Sequence, residues 1–173
     1  MEPLSSYMPR LRAETWSLDH AEVMHEMYSD GAVTRMLHFE PNTDIEQTRS
    51  YIADRVERFR ALPAGMGAWP LYARDSDAFV GVVLLKPLPD GKIEVGWHLK
   101  RAMWGCGYAT EAGRAAIQYG FEVLELDEIY AITLPENLRS QEVCRRCGMT
   151  RLARTTDYHD LELDLFRIRA TDS

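Results

Sequence analysis

At 173 residues, with 46% hydrophobic and 27% charged residues, the chain has the composition of one globular domain with a substantial core. Its net charge of −7 and pI of about 5.2 argue against nucleic acid as a partner, because that binding needs clustered Lys and Arg to displace counterions from phosphates; the same acidity suits a cationic partner such as an amine, or simply keeps the protein soluble. The longest nearly unbroken apolar run, residues 79–85, is too short to cross a bilayer, and no basic stretch followed by an apolar core opens the chain, so a cytoplasmic protein with no membrane partner is expected.

The elements follow in order. Residues 10–15 alternate weakly and suit an edge strand. Ser17 or Asp19 can cap a helix reaching about Tyr28, closed by Ser29, Asp30 and Gly31. Thr43 can cap a second helix through about Ala61, with Glu46 completing a capping box and Ile45, Tyr51, Ile52, Val56 and Phe59 spread among its charges. Residues 69–73 and 79–85 flank a turn and read as a hairpin, and Asp90–Gly91 leads into a third strand over residues 92–99. There Ile93, Val95, Trp97 and Leu99 take one face, and Glu94, Gly96 and His98 the other. A helix follows with a stripe of mostly small residues, from Ala109 through Gly113 and Ala116 to Leu124, suited to close approach to a sheet. Residues 128–134 read as a short strand buried on both faces. Asn137 or Ser140 starts another helix that ends at Gly148, and strands over residues 149–155 and 159–168 finish the chain. This order, β, α, α, β, β, β, α, β, α, β, β, predicts an α/β layered sheet and not a regular doubly wound one.

Three cysteines is an odd count with no disulfide spacing. Cys144 and Cys147 form a C-x-x-C, but at a helix end, where the dipole opposes a thiolate. With no further ligands at suitable spacing, ordinary buried cysteines and no metal are expected.

The chemistry concentrates where a strand, a tight turn and a helix start meet, at Trp104, Gly105, Cys106, Gly107, Tyr108, Ala109 and Thr110. Gly105 and Gly107 permit conformations that let an anion approach the backbone, free N–H groups would point at that anion, and the helix dipole adds to the attraction. A diphosphate is the natural guest. The plainer reading is a turn that uses two glycines for geometry. The dinucleotide fingerprint would place Gly or Ala at position 110, and the P-loop would end in Gly-Lys-Ser/Thr; neither is present.

The stretches IEVGWHL (residues 93–99), WGCGYATEA (104–112) and NLRSQEVCRRCGM (137–149) resemble, in order, the motifs of the GNAT superfamily and of its ribosomal-protein N-terminal (Rim-type) acetyltransferase branch. The resemblance extends, in divergent form, to the opening strand and helix. It implies a GNAT-like mixed, mostly antiparallel central sheet flanked by helices on both faces. It also implies acetyl-CoA as co-substrate, no metal, and an amine or peptide N-terminus as acceptor. One departure is Ala102, where Gln or Arg often opens the turn; Arg101 is the candidate substitute.

The resemblance also implies roles. Glu94 matches an acidic strand residue that takes the amine proton, directly or through water, although a solvated strand carboxylate is the plainer reading. Backbone N–H groups of Trp97, His98 and Leu99 would meet the oxyanion and pantetheine, with the His98 side chain merely lining the site. Asn137 would bond the pantetheine arm, and Ser140 would stand near the sulfur as acid or orienting donor; both also suit helix capping. Met36, His38 and Phe39, with Tyr158 and His159 of the last hairpin, would cover the acceptor, although the parity of His159 with Leu161 and Leu163 also suits a core-facing ring. Direct transfer is simpler than an acyl-Cys106 intermediate, since no histidine stands ready to activate that thiol. Alternatives within the fold are a longer acyl-CoA donor or a non-catalytic acyl-CoA sensor. A monomer or a homodimer is expected.

Overall fold

A computed structural model describes residues 3–37 and 40–172 of the chain. Seven segments pair into one sheet: β1 (Leu11–Ala13), β2 (Gly67–Ala73), β3 (Phe79–Pro87), β4 (Ile93–Leu99), β5 (Glu128–Thr133), β6 (Thr150–Thr155) and β7 (Leu163–Arg169), in spatial order β1-β2-β3-β4-β5-β7-β6. Every neighbouring pair is antiparallel except β4 and β5. A parallel pair cannot be closed by a hairpin and requires a crossover; helix α4 (Tyr108–Glu122) supplies it. Helices α1 (Ala21–Tyr28), α2 (Gly31–Thr34) and α3 (Ile45–Arg60) lie on one face of the sheet, and α4 and α5 (Leu138–Arg146) on the other. The mixed, mostly antiparallel sheet with helices on both faces is the architecture the motifs implied.

The alternation in β4 decides which side chains reach which face. Val95 and Leu99, with Ile93 and Trp97 beside them, join the cluster under α4, where the Trp97 ring meets Gly113. His98 turns the other way and meets Tyr28 of α1. At Gly81 the approach of β4 to β3 leaves no room for a side chain: a Cβ there would stand 2.1 Å from the His98 carbonyl oxygen and 2.7 Å from Leu99 Cα, at a φ of +152°.

Several local expectations shift. Asp44, not Thr43, caps α3, accepting from the Glu46 N–H at 2.9 Å. Asp30 does not simply close α1; its carboxylate accepts from the Ala32 N–H and starts the short α2. The last strand begins at Leu163 instead of residue 159, because His159 and Asp160 adopt φ of +60° and +54° in a turn. His159 is therefore exposed and not core-facing. Asp157 accepts from the Thr155 hydroxyl at 2.6 Å, which stabilises the same turn.

Two charged groups fasten this end of the sheet. The buried Asp164 carboxylate accepts from Arg151 at 2.5 Å, from Arg154 at 3.2 Å and from Gln141 of α5 at 3.2 Å. Burial alone would raise its pKa, but the two guanidinium groups prevail and lower it. Tyr158 is buried with Leu88, Leu134 and Leu163, and its hydroxyl donates to Asp90 at 2.7 Å. Lys92 first, then Tyr158, holds the Asp90 carboxyl down to about 2.

Candidate active site

The seam between β4 and β5 organises the site. Only Glu94 and Tyr130 stand in register across it; beyond them the strands part, and a cavity of about 230 Å3 fills the gap. Its walls include residues 94–98 of β4, residues 131–134 at the end of β5, Asn137 and Ser140 of α5, and side chains from the α1 and α3 layer. Because Lys100 N–H donates to Val80 of β3 at 3.0 Å, strand alternation directs the Leu99 and Trp97 N–H groups to the parted side and that of His98 back toward β3. The His98 main-chain donor expected in the site is thus turned away from it.

One end of the seam leads to the turn before α4. Gly105 and Gly107 adopt φ of +79° and +81°, the left-handed region that side chains rarely enter. No backbone or side-chain acceptor among the described residues meets the N–H groups from Gly105 to Thr110. Together with the helix dipole they form a ready anion site. Trp104, Cys106, Tyr108 and Ala109 shape this turn as expected, and the Trp104 indole donates to the Leu99 carbonyl at 2.9 Å, tying the turn to β4. The cation at the turn is Arg10, not Arg101. Arg10 donates to the Cys106 carbonyl at 3.0 Å, pairs with Glu111 at 2.6 Å and stacks over Tyr108. Arg101 instead shares a depression with Glu26 and Met27 of α1 and with Asp30, the cap of α2.

At α5, the Asn137 carbonyl oxygen Oδ1 accepts from the Ser140 N–H at 3.1 Å, so Asn137 is the N-cap. Both residues also line the cavity, so capping and site placement coincide. The Ser140 hydroxyl has no hydrogen-bond partner among the described residues. Thr133 Oγ1, buried in the same wall, is likewise unpartnered, and such groups call for a ligand or water. Cys144 and Cys147 are buried, which pushes their thiols up to about 12 and 11 and leaves them poor nucleophiles. Cys106 is exposed and faces the Trp104 carbonyl.

The other end of the cavity opens onto α1 and α3. Glu94 lies in its wall and is paired with Lys86 on β3 at 2.7 Å. The Tyr28 hydroxyl stands 3.1 Å from His98 Nδ1 and packs edge-on against Tyr51. Desolvation by its packing, then Arg55 and Lys86, holds the His98 pKa down to about 4, so the ring is neutral at physiological pH. Met36 and His159 line this region, whereas Tyr158 stands outside the cavity with its hydroxyl committed to Asp90. His38 and Phe39 lie outside the described residues. Sequence reading missed Trp16, Tyr28, Arg55 and Lys86, which come from the loop after β1, from α1, from α3 and from β3. The available signal was the spacing of Tyr51, Arg55 and Phe59, which puts them on one face of α3.

The model for the acetyltransferase (GNAT) domain matches residues 10–150. An uncharacterised N-acetyltransferase of Bacillus licheniformis is 29% identical over 154 residues, spanning 88% of this chain and 85% of that protein. Among solved structures, a GNAT-family acetyltransferase from Bacillus anthracis superposes with a TM-score of 0.78 at 24% identity, covering 94% of this chain and 96% of the other. A ribosomal-protein α-N-acetyltransferase (RimL) in complex with coenzyme A gives 0.79 at 14% identity, covering 95% and 97%.

Proposed function

Because this chain belongs to the GNAT acetyltransferase family, we propose that it moves an acetyl group from acetyl-coenzyme A to a primary amine by direct transfer. The observation that carries this reading is the run of unpartnered N–H groups from Gly105 to Thr110, which suits a diphosphate. The 173 residues then act as a single acetyltransferase domain.

When bound, acetyl-coenzyme A supplies an activated thioester. The turn fixes its diphosphate, and Asn137, half-buried at the start of α5, bonds the pantetheine arm. The Trp97 and Leu99 N–H groups, directed to the parted seam, would donate to the pantetheine amide and to the acyl oxygen as negative charge develops on it. Glu94 receives the proton that the attacking amine loses, directly or through one water. The Ser140 hydroxyl would protonate the departing thiolate, with solvent restoring the serine proton. His98 is neutral at physiological pH and bonded to Tyr28, so it orients the acceptor wall and does not serve as the base.

Thiol release from acetyl-coenzyme A, measured with a panel of small amines and N-terminal peptides, tests the reading. Tight binding of coenzyme A without turnover on any acceptor would instead favour a sensor, and absence of binding would remove the reading altogether. A narrower result is expected of Gly107→Val. A β-branched residue at φ +81°, with its Cβ 3.4 Å from the Arg10 guanidinium, should weaken coenzyme A binding about tenfold or more through strain in the cradle. Isothermal titration calorimetry, with circular dichroism as folding control, measures the loss.

A further inference from the structure

The acceptor end of the cavity is electrically unlike the rest of the molecule. The chain as a whole carries a net charge of −7, yet the cavity wall presents Arg55 and Lys86 against a single carboxylate, Glu94. Glu94 is committed to Lys86 at 2.7 Å. That leaves Arg55, which stacks over Tyr51 at 4.9 Å and has no ion-pair or hydrogen-bond partner among the described residues. A half-buried cation without a counterion is costly unless a ligand supplies one.

A second observation points the same way. Trp16 lines the cavity, and its buried Nε1 donor finds no acceptor among the described residues. Its ring packs edge-on against Phe59 at 5.8 Å, and Phe59 lies one helical turn from Arg55 on α3, so the orphaned donor and the free cation stand in one neighbourhood. His98 registers the resulting field, since the charges that help to depress its pKa are Arg55 and Lys86 and no carboxylate offsets them.

We propose that the acceptor is an amine that also bears a carboxylate, held by Arg55 with support from the Trp16 indole N–H. The inference rests on the acetyltransfer reading above and narrows it. The apolar remainder of this wall, with Phe59, Val82 and Leu84, takes a hydrocarbon body between amine and wall. The same positive field also disfavours the ammonium form of the acceptor and so delivers the amine as a nucleophile. A polycation such as a linear diamine meets the wrong charge.

Matched acceptors that differ only at the carboxylate test this. One arm compares leucine with leucinamide. The other compares the peptide amides Ser-Asp-NH2 and Ser-Asn-NH2, so that the favoured arm identifies the carboxylate as that of a free amino acid or of an acidic side chain. Wild type should prefer the carboxylate member of the favoured arm by about tenfold or more in kcat/KM, the scale of one charge-assisted hydrogen bond, and 1,3-diaminopropane should be poor. Arg55→Gln should bring the ratio to near one, and Arg55→Lys should keep most of it. Circular dichroism and coenzyme A affinity serve as folding controls, and Arg55→Met, expected to bring the ratio to near one as well, carries the test if the glutamine variant fails to fold. Ratios near one in both arms of the wild type, or a preference that survives Arg55→Gln, would overturn the inference while leaving acetyl transfer intact. Wild type that acetylates no amine would remove the acetyltransfer reading, and this inference with it.

Discussion

Gly81→Ala should destabilise the protein by roughly 3 kcal/mol or more, the sum of an overpacked contact and a disfavoured backbone conformation. The added methyl group would stand 2.1 Å from the His98 carbonyl oxygen and 2.7 Å from Leu99 Cα, both backbone atoms of β4, at a φ of +152°. Neither atom can rotate aside as a side chain would. Relief requires β3 and β4 to separate, and these strands share the longest register in the sheet, from Gly81–Leu99 to Pro87–Ile93. A fall in melting temperature of roughly 10 °C, read by calorimetry, is the corresponding thermal result. Because β4 also forms the wall of the site, whatever folded fraction remains should show a raised KM for acetyl-coenzyme A. An unchanged melting temperature would mean that the two strands do not approach as described.

Glu94→Gln should lower kcat by a factor of roughly 10²–10⁴, the usual weight of a positioned general base, while coenzyme A affinity stays near that of wild type. The substitution preserves shape but removes the proton acceptor. It also leaves Lys86 without its partner at 2.7 Å, so a structural explanation must be separated from a chemical one. Lys86→Met does so: it breaks the same ion pair and keeps the carboxylate. If Glu94 accepts the proton, the methionine variant retains most of kcat and the glutamine variant does not. Equal losses in both would assign Glu94 to the framework. The split is read from steady-state kcat and KM for each variant with one good acceptor.

What was legible in the sequence was local. Period-two alternation located β4 and fixed its faces, and the small-residue stripe located α4 against it. The turn between them could be read because its geometry is carried by consecutive backbone groups, which two glycines announce. The start of β7 was not legible, because Leu161, Leu163 and Leu165 keep the alternation running through a turn that only the left-handed φ of His159 and Asp160 reveals. Proximity along the chain points to Arg101 as the cation at the turn, whereas Arg10, which lies against the turn, meets a carboxylate 101 residues away. The acceptor wall is harder still. Trp16, Tyr28, Arg55, Lys86 and Glu94 converge only after α1 and α3 close over the sheet, and no motif links them. Tyr158, expected at the acceptor, serves instead to pack the β3–β4 loop against the last hairpin.

The parting of β4 from β5 has a kinetic meaning. A cleft reached from one side only would force its two reactants to enter and leave in a fixed sequence, the first trapped beneath the second. Here the turn leads into α4 on one face of the sheet, while Arg55, Tyr51 and Phe59 border the cavity from the opposite layer. If the turn holds the donor and the Arg55 wall the acceptor, as proposed, the two have separate doors, and neither must withdraw for the other to arrive. On the proposed reading, a shuttle residue that stores the acetyl group between visits becomes unnecessary, and the product amide can leave while the spent thiol is still in place.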